Sequence, residues 1–470
     1  MRRLLALVLL LSWVRVERAQ VIYPGQTHYL LTDGSAIMND CPTCDRVSIW
    51  EPIHGSFDFV VVQLNPFETA LLLTNINFVS ADINLPVTRI TGSGALSLFT
   101  AQPHEVTLDV TIIRSGSAET VHMTNAPAES PRIYPMLCAN ANEDTPSQTR
   151  VYRLRLEAAP IRDLWFSTAV NMNSSIMGSV LHGDLLSNFG TIVKHNAELT
   201  ERLSIPDGDV GLDAIDIGPR GELFFSTTSN VESIVNGPIS HSDIVTSAGR
   251  VYLQSAQLLA PFGVDDPEAG LDALHIKADD EIYFSISKDI PRTGATTLHR
   301  GDILSSKGRI IRTEANLFSR WTSSAAGIGV DALYVWPNGE IWFSTENDFT
   351  SSGGIPISAG DIISDQGYVA FRNSALTGPF NPTDAIADFG LDALAIISDA
   401  AANTTPTQIV EFAPVDGGFD LRWESAARVF QVERAATITG PWATVTGLTL
   451  DQTAHDDFIG PAAFYRIRQW

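Results

Sequence analysis

Along most of this chain apolar residues come in short runs or alternate with polar ones, and no long stretch repeats them at helical spacing. Between residues 20 and 146 the runs are Phe57-Asp58-Phe59-Val60-Val61-Val62, Ala70-Leu71-Leu72-Leu73, Ala95-Leu96-Ser97-Leu98-Phe99 and Val106-Thr107-Leu108-Asp109-Val110-Thr111-Ile112-Ile113. The last alternates over part of its length, and Gly92-Ser93-Gly94 and Gly116 punctuate the series. Strands with one face buried show this two-residue period, so the stretch predicts an all-β module of β-sandwich-like type. Its β-rich runs end near Glu143, where Asp144-Thr145-Pro146-Ser147 reads as a polar linker.

From Arg150 to Ile397 one unit is written four times. Trp165-Phe166-Ser167 returns as Phe224-Phe225-Ser226, Tyr283-Phe284-Ser285 and Trp342-Phe343-Ser344, each 59 residues after the last. Asp184, Asp243, Asp302 and Asp361 keep the interval, as do Gly190, Gly249, Gly308 and Gly367, and Leu199, Leu258, Leu317 and Leu376. An Asp-Ala pair before an apolar run stands at Asp213, Asp272, Asp331 and Asp392, with only the last step stretched to 61. The third copy divides into Ala273–Ile276, Glu281–Ile286, Asp302–Ser305 and Arg309–Thr313, with tight turns at Asp279-Asp280 and Ser306-Lys307-Gly308. The next copy puts Asn338-Gly339, a strong hairpin signal, at the first of these turns. Four antiparallel strands per unit predict a β-propeller-like domain over 147–402, with a stacked β-solenoid as the structural rival. Tyr152–Glu157 fills the first-strand slot of copy one, and Ala393–Ile397 is left over, to begin a fifth blade or to close the ring.

Residues 403–470 leave the period. Ile409–Phe412, Phe419–Trp423, Val429–Glu433 and Phe464–Arg468 are short alternating strands, with Gly440-Pro441-Trp442 at the middle turn. On Leu421-Arg422-Trp423, Phe430-Gln431-Val432-Glu433, Pro441-Trp442 and Phe464-Tyr465-Arg466-Ile467 this stretch resembles the fibronectin-III-like (Ig-like) modules appended to secreted bacterial proteins. With its leader, β module and repeats, the whole chain resembles secreted modular proteins of Gram-negative bacteria, a resemblance that implies no particular activity.

The first 19 residues read as a signal peptide, with Arg2 and Arg3 ahead of an apolar run, Leu4–Val14, and a cut after Ala19. Glu17 fits that cut poorly, and the run is shorter than the roughly 20 residues of a membrane span. The expected location is therefore the periplasm, the cell surface or the medium. Removing the leader takes four arginines and one glutamate and deepens the formal charge from −24 to −27. Such a surface repels phosphate backbones, so nucleic acid is excluded as a partner, and it suits cations. Of Cys41, Cys44 and Cys138, two are expected to pair in an oxidising compartment. Cys41-Pro42-Thr43-Cys44 lacks the second ligand pair of a zinc site and the helix context of a redox pair.

The repeats set carboxylates at fixed stations. Asp209-x-Gly211-x-Asp213, Glu268-x-Gly270-x-Asp272 and Asp388-x-Gly390-x-Asp392 could each fold two acids onto one calcium ion, or each Asp could cap its own turn. The copy at Asp331 lacks the first acid. His182 with Asp184 and His241 with Asp243 suggest a ligand-binding ring, although Ala359 breaks it in the fourth copy. Arg300-Gly301-Asp302 aligns with His182-Gly183-Asp184, so the repeat accounts for its adhesion-like look. The aromatic residues before each Phe-Ser are expected in the core, and the loop residue Trp321 is the better candidate for stacking on a ligand. The sequence has no Gly-x-Ser-x-Gly, His-Glu-x-x-His, Walker or Rossmann glycine pattern. The expected function is binding of an extracellular glycan or surface protein, or a structural role, without evident catalytic residues. A carbohydrate-active hydrolase or lyase on the same scaffold is the alternative, and the long loops 168–181, 227–240, 286–299 and 345–358 are where function is to be sought.

Overall fold

The computed structural model describes residues 26–45, 47–64, 68–80, 87–99, 105–125, 136–147, 149–206, 208–266, 268–401, 406–415, 417–438, 442–457 and 463–470. The leader lies outside them, as do Gly440 and Pro441. The chain is all-β in character, with antiparallel sheets throughout. Among the described residues no helix is long and apolar enough to cross a membrane.

The N-terminal part is β1 (Gln26–Leu31), β2 (Ala36–Asp40), β3 (Trp50–Leu64), β4 (Glu68–Ser80), β5 (Thr88–Phe99), β6 (Glu105–Arg114), β7 (Ser117–Asn125), β8 (Leu137–Glu143) and β9 (Val151–Phe166). Alternation works as expected in β6, where Val106, Leu108, Val110 and Ile112 are buried and Thr107 and Asp109 are exposed. The expected sandwich is corrected in one respect. A meander runs from β3 to β9, and β1 and β2 each pair with both β3 and β9, so one sheet closes on itself. Long strands must bend sharply to close, and glycines allow it. At Gly55 (φ +144°) an added Cβ would lie 2.2 Å from the Asn77 carbonyl, and at Gly92 (φ +154°) 2.2 Å from that of Asp109.

The expected boundary at 146 is also crossed. β9 runs unbroken from the closed sheet into the repeats, pairing with β2 and β8 through its first half and with Leu394–Ser398 through its second. Tyr152–Glu157 therefore belongs to the N-terminal sheet, and Leu394–Ser398 takes the first-strand place beside Ile161–Phe166, Leu185–Ser187 and Thr191–Lys194. The other three sheets each come from one copy: 214–217, 223–226, 244–246 and 251–253; then 274–276, 282–284, 303–305 and 309–312; then 333–335, 341–343, 362–364 and 369–371. Their four first strands are mutual neighbours in a cycle, with Ala214–Ile217 and Leu333–Val335 each beside both Leu274–Ile276 and Leu394–Ser398.

The Phe-Ser landmark holds this cycle together. Ser167 Oγ donates to the Leu212 carbonyl, Ser226 to Leu271, Ser285 to Val330 and Ser344 to Leu391, at 2.7, 2.9, 3.0 and 2.8 Å. Each serine is fully buried and reaches the following copy, and the last reaches the segment that leads into the closing strand. Ser285→Ala leaves the Val330 carbonyl without this donor and is expected to cost about 1–3 kcal/mol. Urea unfolding measures it, and a loss below a few tenths would contradict the role.

Residues 408–415, 418–424 and 453–456 form one three-stranded sheet at the C terminus, and 443–444, 430–435 and 464–469 form another. Trp423, Phe430 and Val432 fill the space between them. This unit is docked rather than tethered: Val429 and Trp470 pack with Trp165 and Ala395, and Arg428 donates to the Ile276 carbonyl at 2.9 Å.

Candidate functional site

Each copy delivers its Asp-Ala aspartate to the start of a first strand, and the cycle of strands gathers the four carboxylates. Asp272 and Asp392 are only 6% and 7% exposed. Burial raises the carboxyl of Asp213, and Asp392, Asp331 and Glu346 raise it further by repulsion. Asp272 is raised by burial and by Asp213, Glu346 and Asp392, against a favourable field from Arg300. Burial likewise raises Asp331, whose carboxyl hydrogen-bonds that of Asp392, and pushes Asp392 up to about 7. A hydrogen bond between two carboxyl groups requires a shared proton, so this pair holds one when the bond is made. Asp272 and Asp392 are buried and Asp213 and Asp331 half-buried, and four acids so placed without matched cations favour bound protons or a cation, since the charged state is penalised both by lost hydration and by repulsion.

The expected calcium loops are corrected by the same geometry. In Asp209-x-Gly211-x-Asp213 and its relatives the glycines adopt φ of +72°, +71° and +70°, and the two acids of each loop go to different surroundings. Asp209 accepts from the Gly211 N–H at 3.2 Å and stands 3.3 Å from His182 Nε2. Glu268 pairs with His241 at 3.4 Å, and Asp388 accepts from the Gly360 and Gly390 N–H groups at 3.0 Å each. Only Asp213, Asp272 and Asp392 reach the central cluster, joined by Asp331. Among the described residues no three His, Cys, Asp or Glu side chains stand close enough to form a ready-made metal cage.

Sequence reasoning missed two members. Asp331 was discounted because Gly327 stands where its copy should carry the first acid, yet its own station never left register. Glu346 occupies the place of Ala169, Thr228 and Ser287 and so breaks the repeat. Burial pushes its carboxyl up to about 7, while Arg300, which donates to Oε2 at 2.7 Å, opposes the shift. The break has a local reason. His182–Asp209 and His241–Glu268 join successive copies, and at the next junction the cation is Arg300 and the acid has moved from station 327 to 346.

Asp184 and Asp243 are committed elsewhere. Asp184 accepts from the Leu181 and Asn196 N–H groups at 3.0 and 2.9 Å, Asp243 from Ser240 and Ser255 at 3.1 and 2.8 Å, and Asp302 and Asp361 repeat the arrangement. Each caps a turn and the first N–H of the short helix that carries the repeated leucine, so His182 and His241 share no ligand ring with them. Asp302 is buried, which removes Arg300-Gly301-Asp302 as an adhesion motif. Trp321 is 3% exposed and donates its indole N–H to the Ser364 carbonyl at 2.7 Å, so it is largely buried, and it also lines a cleft beside Tyr368 and Arg372. Trp165, Phe224, Tyr283 and Trp342 are buried as expected. Cys41 and Cys44 form a disulfide, and Cys138 is left as a free thiol.

No protein-family model matches this chain, and neither a curated protein nor a solved structure does.

Proposed function

We propose that this chain is a binding protein of the cell exterior, a four-bladed β-propeller flanked by a closed β module and a fibronectin-III-like module. In this reading a hard divalent cation of calcium type neutralises its axial carboxylates. The convergence of Asp213, Asp272, Asp331 and Asp392 carries the reading. Asp272 adds to it, since its carboxylate is nearly fully buried and has no hydrogen-bond donor among the described residues. Carboxylate oxygens are the natural ligands of such an ion, and water completes its shell where side chains do not. The repeat-symmetric use of these acids suits a scaffold, because acid–base catalysis needs carboxylates in different roles.

Thermal shift at pH 7.5 tests the proposal. Calcium is expected to raise the melting temperature, by an increment equivalent to about 2.7 kcal/mol at a hundredfold excess over Kd, and EDTA to reverse it. No response, or an equal response in the Asp272→Asn/Asp392→Asn double variant, would overturn it. Glu346 favours a second reading, a hydrolase or lyase on this scaffold, because it is an acid that breaks the repeat beside buried partners. Release of product from a glycan panel, abolished by Glu346→Gln, would establish that activity.

A further inference from the structure

A second polar site lies away from the axis, where the closed N-terminal sheet meets the fourth copy. There a cleft of about 260 Å³ is lined by His28, Ser56, Asn75, Asn77 and Arg89 on one side and by Tyr368–Ala370 and Arg372 on the other. Three observations set it apart. Among the described residues no Asp or Glu lines it, in a chain of formal charge −24. Arg89 spends one N–H on the Gly367 carbonyl at 2.8 Å, makes no ion pair among the described residues, and has Arg320 as its neighbouring charge. His28, with its side chain 10% exposed, has a buried Nε2 without a hydrogen-bond partner among the described residues.

The imidazole is held in place from behind. Its Nδ1 lies 2.6 Å from Asp58 Oδ1, Asn75 donates to the other oxygen of Asp58 at 2.6 Å, and the ring rests 4.2 Å from that of Phe371. A fully buried Asp58 fixes the ring and leaves Nε2 as its nitrogen without a partner among the described residues. A buried polar atom left unpaired costs free energy that a ligand hydroxyl or carboxyl would recover. Arg89 is suited to one carboxylate by its planar fork of donors, and the Asn75 and Asn77 amides, whose nitrogens already donate to Asp58 and to the Val369 carbonyl, have carbonyl oxygens suited to hydroxyls.

We infer that this cleft binds a small hydroxylated organic anion the size of one uronic acid residue, its carboxylate on Arg89 and a hydroxyl on His28 Nε2. The inference rests on the binding-protein reading and names a ligand class for it, at a site separate from the carboxylate cluster. Arg372 shapes the far wall and is already committed to Asp361 at 2.6 Å.

The test is calorimetric titration of the full chain with sodium glucuronate, sodium galacturonate, glucose and sodium sulfate at matched ionic strength. Saturable binding of a uronate, absent for glucose and sulfate and weakened at least tenfold in Arg89→Gln, is the expected result. Equal responses to uronate and sulfate would overturn the sugar-acid assignment, and no uronate binding would overturn it outright. Should Arg89→Gln fail to fold, the His28 imidazole signals of the unsubstituted chain serve instead. They must move on uronate addition and stay still with glucose. A calcium response without uronate binding would sink this inference alone, and the reverse result would sink only the cation reading.

Discussion

In EDTA, the protein is expected to be more stable at pH 5 than at pH 8, and Asp392→Asn is expected to remove much of that difference. The sign follows from where the protons bind. The carboxyls of Asp213, Asp272, Asp331 and Asp392 are all raised in the folded state. A raised group contributes stability that is fully present below its unfolded value and is lost as pH climbs through the folded one. For Asp392 that window runs from 3.8 to about 7. Asp163 and Glu346, raised to about 7 by burial, and Asp365, raised to about 6, act in the same sense. Glu281 and Asp58 are depressed and act oppositely, at lower pH. The Asp392 shift corresponds to roughly 4 kcal/mol over its whole window and to about 2.7 kcal/mol over the part above pH 5, upper figures because its neighbours titrate with it. Urea unfolding at the two pH values reads it directly. Stability that is flat or rises with pH would mean that the cluster is solvated in a way this packing does not allow. Calcium at pH 8 should substitute for the protons and restore the lost stability in the unsubstituted chain, but not in the double variant.

The periodic features of the fold were legible because each reports a contact repeated four times. The Phe-Ser serines, the capping aspartates and the repeated leucines keep a 59-residue step because each meets the same neighbour in the next copy or the next turn. Ring closure was not legible, because Leu394–Ser398 pairs with residues over 200 positions earlier and nothing local in Ala393–Ile397 distinguishes a closing strand from the start of a fifth blade. The short helices at 196–200, 255–259, 314–317 and 373–377 were missed for another reason: one turn gives no period to detect. The long loops differ in sequence among the copies, yet three carry the same two-stranded ribbon, at 172–180, 231–239 and 349–357, because ribbon pairing is made by backbone and tolerates side-chain change. At the candidate site the stations were read correctly and their directions were not. Acid-x-Gly-x-acid spacing says that two carboxylates are near in sequence, and only the left-handed glycine decides whether they face one another. The cleft beside Arg89 lies between parts of the chain some 300 residues apart, beyond any sequence window.

Loss of Glu340 is expected to be the most damaging single substitution among the repeated acids. Asp163, Glu222, Glu281 and Glu340 share one 59-residue station beside the first tight turn, and Glu340 is the most enclosed of them in its contacts. Its Oε1 accepts from Trp342 Nε1, Ser364 Oγ and Tyr368 Oη at 3.0, 2.6 and 2.6 Å, and its Oε2 lies 2.7 Å from His54 Nδ1 on the N-terminal sheet. Burial alone would raise this carboxyl, but the hydrogen bond and charge of His54 and the hydrogen bonds from Ser364 and Tyr368 hold it low. Glu340→Ala leaves three buried donors and one imidazole without their acceptor, at an expected cost of about 3–5 kcal/mol. Glu340→Gln keeps the shape and part of the hydrogen bonding, so it should cost less. Because His54 arrives from the closed sheet, the alanine variant should also loosen that sheet from the fourth copy. Limited proteolysis would then cut first in the N-terminal part, at a denaturant concentration where the repeats still hold. A one-step transition with unchanged midpoint in Glu340→Ala would show that Leu30, Val79 and their apolar partners alone join the two parts.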